Sequence, residues 1–432
     1  MFLPALYYQQ RHPLTRALEL RPLVYVGMIS YGIYLLHIIA IEVARPAAAK
    51  LDQGHGWLLF GLSAVLSIAL ATISFQVLRS TAAKAEIQVP HVMSNHAMES
   101  QRLDTLDGWR ALSILLVLGC HLLPLGPRVL KLNDTAASMG MALFFTLSGF
   151  LITRFLLSNP NLGDFLIRRL FRIVPLAWLG LVIALSFWGA TSEQWWRNFT
   201  FTANWPPLEL TQVASHYWSL CVEVQFYLAV ALIFAVGGKR GLYLLPVLAV
   251  AVTAHRVMSG TPVDIVTWRR VDEILAGATL ALLLNARALD ASPLQWLKMQ
   301  GAPWILLAAL VATSHPSLEA ANYVRPYVAA LLVGSTIVQG SFPGRRQLVS
   351  APMVYIATVS YALYVIHQVL QYTWLGQGDD RLEVYAKRIP LFLVLFALAH
   401  VSTFYFEKPC TEAGKRLSKR LGWVRGRTAA EH

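Results

Sequence analysis

The sequence predicts an all-α polytopic membrane protein, with a ten-helix core preceded by an extra two-helix hairpin, about twelve transmembrane helices in all. Three observations carry this reading. Of the 432 residues, 56% are hydrophobic and 14% are charged, where a soluble domain carries roughly 25% charged residues. Apolar runs of membrane-spanning length recur along the whole chain, and about 20 apolar residues cross a bilayer as a helix. The cations gather in short loops, which is how a chain fixes its orientation against a bilayer.

The spans are expected near 23–44, 57–78, 106–125, 137–157, 174–190, 216–237, 241–257, 271–285, 302–314, 322–340, 353–374 and 390–406. Arg154, Arg168, Arg169 and Arg172 share one loop, Lys239 and Arg240 a second, and Arg345 and Arg346 a third. The tail adds Lys415, Arg416, Lys419, Arg420, Arg425 and Arg427. Twelve spans put all of these on one side together with both termini. The loops at 45–56 and 191–215, poor in Lys and Arg, then fall opposite. Positive-inside makes the cation-rich side the cytoplasm. The exception precedes residue 271, where Arg256, Arg269 and Arg270 fall outside beside Asp264, Asp272 and Glu273. Their pairing would make a structured ionic site.

Several classes drop out. "MFLPALYYQQRHPLTR" has no compact apolar core followed by a small-residue cleavage site, so no removable signal peptide is expected. Cys120, Cys221 and Cys410 are the only cysteines, two of them inside apolar runs, which argues against a disulfide framework or a metal–thiolate site; no metal is expected. The formal charge of +13 finds no basic domain to serve a nucleic acid.

"RSTAAKAEIQVPHVMSNHAMESQR" (79–102) is polar and rich in small residues. It divides the chain into an N-terminal hairpin (1–80), a cytoplasmic linker (81–101), a ten-helix core (102–410) and a basic cytoplasmic tail (411–432). The hairpin repeats part of the core. "PLVYVGMISYGIYLLH" from Pro22 aligns without gaps on "PMVYIATVSYALYVIH" from Pro352. That distance is too great for a solenoid, whose periods run about 20–50 residues.

Ionisable groups within spans cost at least about 2–3 kcal/mol at a helix centre, so each needs a partner or a task. In "LDGWRALSILLVLGCHLL", Arg110 and His121 stand eleven residues apart. That is close to three turns, so both project from one face, roughly 16 Å apart along the axis. A snorkelling arginine and a hydrogen-bonded histidine would satisfy the same spacing. "FLIRRLFRIVP" sets Arg168, Arg169 and Arg172 at the start of a span, with Arg169 and Arg172 one turn apart and able to converge on a phosphate. A positive-inside anchor is the plainer alternative. In "HYWSLCVEVQFYL", Ser219, Glu223 and Tyr227 form one stripe, and Glu223 needs a histidine or an arginine as partner. "GMALFFTLSGFLITRFL" brings Ser148 and Gly149 into mid-span, where small residues usually mean close helix packing. In "SYALYVIH", Ser360, Tyr364 and His367 share a face, as an interhelical hydrogen-bond set or as part of a catalytic one.

Taken together, "RLDTLDGWRALSILLVLGCH", "LFFTLSGFLIT", "RRLFRIVP", "HYWSLCVEVQFYL", "RRVDEILAGATLA", "VSYALYVIH" and the closing "FEKP" resemble, in order and spacing, the acyltransferase-3 family of polytopic membrane acyltransferases. The resemblance covers about residues 101–410. It implies an acyl-CoA donor, most simply acetyl-CoA used as a co-substrate with no permanently bound cofactor. The implied acceptor is a sugar hydroxyl of a surface polysaccharide or lipid-linked glycan, reached from the far side of a bacterial cytoplasmic membrane. The family's paired arginine and histidine fall on Arg110 and His121, its two-arginine motif on Arg169 and Arg172, and its glutamate on Glu223. His121 would then be the base or a transient acyl carrier, supported by Glu223. Arg169 and Arg172, with Arg168 beside them, would hold CoA phosphates, and Arg110 would steady the donor or the oxyanion. Ser148, Ser219, Tyr227, Arg270, Asp272, Ser360, Tyr364 and His367 are the supporting candidates. The family often shows Glu-Glu where this chain has Glu223-Val224, which concentrates the role on Glu223. With no esterase-like domain after "FEKP", direct transfer or a separate partner protein is expected. The hairpin resembles the family's last two helices and lacks the Arg-to-His helix and the arginine pair, so it reads as an accessory or vestigial duplicate. The alternatives are substitution for the core's own final pair or a dimer contact.

Two other classes stay in view. A transporter or flippase would use twelve spans and buried charges, although the repeat here is one helix pair rather than half the protein. A catalytically dead scaffold would dispense with His121. The outer loop "SEQWWRNFTFTANWPPLEL" offers either sugar-stacking faces or interfacial anchors.

Overall fold

The computed structural model describes residues 96–286 and 292–422. The expected hairpin and most of the linker lie outside the described residues, as does 423–432. The described residues belong to one compact unit, Ser94–His432. Every regular element among them is a helix. In chain order these are α1 (His96–Leu122), α2 (Leu132–Ser158), α3 (Leu162–Trp188), α4 (Ser192–Phe199), α5 (Trp218–Gly241), α6 (Leu244–Met258), α7 (Asp272–Asn285), α8 (Ala302–Ser314), α9 (Arg325–Gln339), α10 (Ala351–Gln371), α11 (Arg381–Val401) and α12 (Lys408–Arg420). A π-helical turn, Ser402–Glu407, joins α11 to α12.

Each of the ten apolar segments expected after residue 101 falls on a helix. Among the described residues, five helices are long and apolar enough to cross a membrane: Arg128–Ser158, Leu162–Trp188, Gln212–Gly241, Ala351–Gln371 and Leu382–Arg420. Leu244–Met258 and Ala302–Ser314 are apolar but shorter. The segment expected at 271–285 shows why length and span part company. α7 has 14 residues, about 21 Å of helix, short of a hydrocarbon core of about 30 Å. Its residues from Asp272 to Ala278 are all buried, so it is enclosed by other helices.

The centre is built by small residues. A methyl group on Gly149 of α2 would meet the Ile274 carbonyl oxygen at 1.8 Å, and one on Gly277 of α7 would meet the Thr146 oxygen at 2.0 Å. Only glycine lets the two backbones approach this closely. α1 is held to α2 by the Ser113 hydroxyl, which donates to the Gly140 carbonyl at 2.9 Å. The Trp109 indole donates to Thr336 Oγ1 of α9 at 3.0 Å. α1, α2 and α7 thus sit between two apolar cores, one with α3, α5 and α10, the other with α8 and α9. The outer faces stay apolar: Phe187, Leu232, Val236, Val250, Ile305, Ile389 and Leu393 are all exposed. Such a belt is the surface of an integral membrane protein, turned toward lipid.

Candidate active site

α1 runs past three cavities in file. Toward its N-terminal half, Asp107 and Arg110 line a cavity of about 480 Å³ together with Arg172, Glu407, Lys408 and Lys415. Arg110, Ser113, Ile114 and Val117 then line a narrow central cavity of about 80 Å³, shared with Ser148, Arg169, Arg172, Glu223, Tyr227, Ser360 and Tyr364. At the C-terminal end, Cys120 and His121 line a third cavity of about 610 Å³ with Asp379, Asp380, Tyr385 and Arg388. Arg110 and Arg172 belong to the first two, whereas the central and third cavities share no lining residue. The eleven-residue spacing read from the sequence therefore sets Arg110 and His121 in different cavities on one helix.

His121 is exposed to its cavity, and His367 of α10 lies fully buried behind it. The rings stack at 20° with centroids 5.1 Å apart, and His121 Nδ1 lies 3.1 Å from His367 Nε2. The tautomers follow from the next contact. His367 Nδ1 donates to the Tyr364 carbonyl at 2.7 Å. With His367 neutral, its Nε2 is then the acceptor, and His121 Nδ1 carries the hydrogen. The lone pair of His121 is left on Nε2. The end of α1 is pinned from both sides: Gln371 Nε2 donates to the His121 carbonyl at 3.1 Å, and Asn133 Nδ2 to that of Cys120 at 2.8 Å. These bonds satisfy carbonyls that a helix C-terminus leaves free.

Glu223 has its hydrogen-bond partners in the central cavity rather than at His121. Its Oε1 accepts from the Ser148 hydroxyl at 2.5 Å and from the Tyr227 hydroxyl. The Arg169 guanidinium lies over the Tyr227 ring, 5.7 Å from its centroid. A buried carboxylate with two hydroxyl donors and a guanidinium nearby is well compensated. Ser219, on the same stripe, turns instead to the Tyr364 hydroxyl at 2.7 Å, which itself donates to the His216 carbonyl.

The arginines separate into two environments. Arg110 pairs with Asp107 at 2.5 Å and, with exposed Arg172, faces both adjoining cavities. Arg168 pairs with Asp164 at 2.5 Å. The same carboxylate accepts from the Ser418 hydroxyl of α12 at 2.6 Å, which ties Arg168 into the scaffold. Ser360 donates to the Ala357 carbonyl at 2.8 Å while lining the central cavity.

Of the ionic site anticipated before α7, Arg269 and Asp264 pair at 3.1 Å and stay partly exposed, while the rest is buried. Arg256 pairs with Asp272, and Glu273 takes Arg325 at 2.8 Å and Arg270 at 3.4 Å. Arg270 also lies over the Trp218 ring at 5.4 Å. Arg270 and Asp272 line none of the three cavities. Sequence reasoning passed over Arg325, His216, Tyr361 and Arg388. Arg325 heads the apolar run "RPYVAALLVG" and Arg388 precedes the helix proline in "AKRIP", so both carried the signal of a cation at the edge of a span. Among the described residues, no tryptophan of the 192–210 loop lines the His121 cavity.

The acyltransferase-3 family model, described as an acyltransferase domain, matches residues 103–408. The chain belongs to that family, and every residue that lines the central and His121 cavities falls within the matched domain. It is 25% identical over 367 residues to YrhL of Bacillus subtilis (strain 168), which carries a provisional name as a peptidoglycan O-acetyltransferase; the match covers 74% of this chain and 56% of YrhL. It is also 25% identical over 314 residues to the peptidoglycan O-acetyltransferase OatA of Listeria monocytogenes serovar 1/2a, covering 61% of this chain and 48% of OatA. The chain thus spans about half the length of these curated relatives. No solved structure matches it.

Proposed function

We propose that the chain is an O-acyltransferase that moves an acyl group, acetyl in the simplest case, from acyl-CoA to a hydroxyl of a glycan. The observation that carries this reading is the His121–His367 pair, which leaves the Nε2 lone pair of His121 on the residue that opens to the largest of the three cavities along α1. A base with its orienting partner behind it is the recurring arrangement of acyl transfer. In this scheme His121 Nε2 takes the proton of the acceptor hydroxyl as its oxygen attacks the thioester carbonyl carbon. The tetrahedral intermediate collapses by breaking the C–S bond, and the proton passes from His121 to the departing CoA thiolate. His367 holds the reacting tautomer.

Arg110 and Arg172, joined by Lys408 and Lys415, supply cations suited to the donor's phosphates, in a cavity that Asp107, Glu407 and Glu412 also line. The central cavity lies between the donor and acceptor ends, with Glu223, Ser148 and Tyr227 in its wall, and the turn from Val117 to His121 must open for the acyl group to reach the histidine. Positive-inside supports a cytoplasmic donor end and cytoplasmic termini, and the relatives' names favour a bacterial cell-wall glycan as acceptor.

The test is thiol release from acetyl-CoA by the purified protein in nanodiscs, with and without a glycan acceptor. Acceptor-stimulated release, lost in both His121→Ala and Arg172→Ala, is the expected result. Folded wild-type protein that binds no CoA would overturn the reading and favour a transporter.

A further inference from the structure

The third cavity holds a cation whose hydrogen-bonding capacity is unused. Arg388 of α11 lines it together with His121, Asn133, Asp379, Asp380 and Tyr385. Its Nε and Nη1 are out of reach of solvent and have no hydrogen-bond partner among the described residues. Neither does it make an ion pair there, and its electrostatic neighbour is the Tyr385 phenol rather than a carboxylate. The contrast with the preceding residue is direct. Lys387 pairs with Glu383 and lies over the Trp374 ring at 5.0 Å, so its charge is met within the chain. Buried guanidinium N–H groups left unpaired are costly, which favours an acceptor arriving from outside.

The other polar groups are committed or complementary. Asn133 is spent on the Cys120 and Leu123 carbonyls at 2.8 and 2.7 Å. Asp380 caps α11 by accepting from the Glu383 amide at 2.8 Å. The Asp379 carboxylate is suited to receive hydroxyl groups, as sugar hydroxyls require. The side of α11 turned to lipid carries Ile389 and Leu393, 72% and 68% exposed. Arg388 lines the cavity instead, which favours a ligand in the cavity over a bilayer headgroup.

We propose that Arg388, by turning its guanidinium toward the cavity it lines, recognises an anionic group, a carboxylate or a phosphate, carried by the glycan whose hydroxyl meets His121. The acceptor is thereby an acidic glycan. This rests on the acyltransferase reading for the identity of the cavity, while the anion site itself is independent of turnover. The unpaired N–H groups of Arg388, on Nε and Nη1, lie on different edges of the guanidinium, so the charge and one N–H edge at a time meet the anion.

The experiment compares three matched oligosaccharides, one neutral, one bearing a uronate and one bearing a phosphate, on the full chain in nanodiscs. Wild type is expected to bind the anionic ligands without donor, and to use them with a higher kcat/KM than the neutral one. Arg388→Gln is expected to weaken anionic binding by roughly ten- to a hundredfold and to collapse the anionic-over-neutral selectivity toward one. Arg388→Lys should recover part of the binding, because it restores the charge but not the fork. The stronger of the uronate and phosphate arms identifies the anion. Anion binding lost in Arg388→Gln supports the site even if no oligosaccharide is acylated, in which case it is the transferase reading that fails. Wild type without preference for either anion overturns the proposal. So does an Arg388→Gln effect that follows the anionic lipid content of the nanodisc and not the acceptor.

Discussion

His121 Nδ1 and His367 Nε2 meet at 3.1 Å between α1 and α10, and the Tyr364 carbonyl behind them decides which nitrogen keeps its hydrogen. Replacing His367 should therefore affect catalysis while sparing substrate affinity. His367→Leu is expected to lower kcat by roughly a hundredfold or more, the scale of a mis-set general base, with little change in KM. His367→Gln, whose side-chain carbonyl can accept the same Nδ1–H, should retain more activity. Steady-state kinetics across pH separates this from a packing defect: only a positioning role alters the acidic limb of the kcat/KM profile.

The α2–α7 seam allows no side chain at two positions. Gly149→Ala or Gly277→Ala must push apart backbones that a methyl group would reach within 1.8–2.0 Å. Each is expected to cost about 1–3 kcal/mol or more. Thermal unfolding of detergent-purified protein should show a lowered Tm, with loss of monodisperse material in the double variant.

Glu273 holds two buried arginines, so removing it strands both. Glu273→Leu should destabilise by about 3–5 kcal/mol, the cost of uncompensated buried charge, and Arg325→Met by less, because Arg270 still meets Glu273. The pair Glu273→Leu with Arg325→Met is expected to recover part of that loss. A double-mutant cycle on thermal stability measures the coupling.

Asp164 ties Arg168 of α3 to Ser418 of α12, beside Gly414, which packs on Phe171. Asp164→Ala should loosen α12, seen as faster limited proteolysis between 408 and 420. Because Lys408 and Lys415 face the Arg172 cavity, the KM for acyl-CoA should rise in the same variant.

Much of this was legible from spacing. The Arg110–His121 interval put both on one helix, and the Ser219–Glu223–Tyr227 stripe set Tyr227 beside Glu223, because both are local properties of one helix. Ser219, however, turns to Tyr364, and the expected histidine or arginine partner of Glu223 gives way to two hydroxyls. The ten core segments read from apolar runs are helices for the same reason. What spacing does not encode is which helices meet. The expected support of His121 by Glu223 gave way to separate partners, His367 and Ser148, each supplied by a different helix. Arg168 looked equivalent to Arg169, yet its i−4 neighbour Asp164 claims it. Arg325 and Arg388 were passed over because their surroundings come from distant parts of the chain.

The gap between the central cavity and the His121 cavity has a bioenergetic consequence. Val117 lines one and His121 the other, one helical turn apart, about 6 Å. A membrane that stores energy as a proton gradient is short-circuited by any unbroken file of water and titratable groups across it. Here Arg110, Glu223 and Tyr227 stand on one side of the break and the histidine pair on the other. The break lies on α1 alone: on the α10 side Tyr364 lines the central cavity and stands beside His216 and His367. A proton crossing between the two groups would therefore pass through that tyrosine and not along α1.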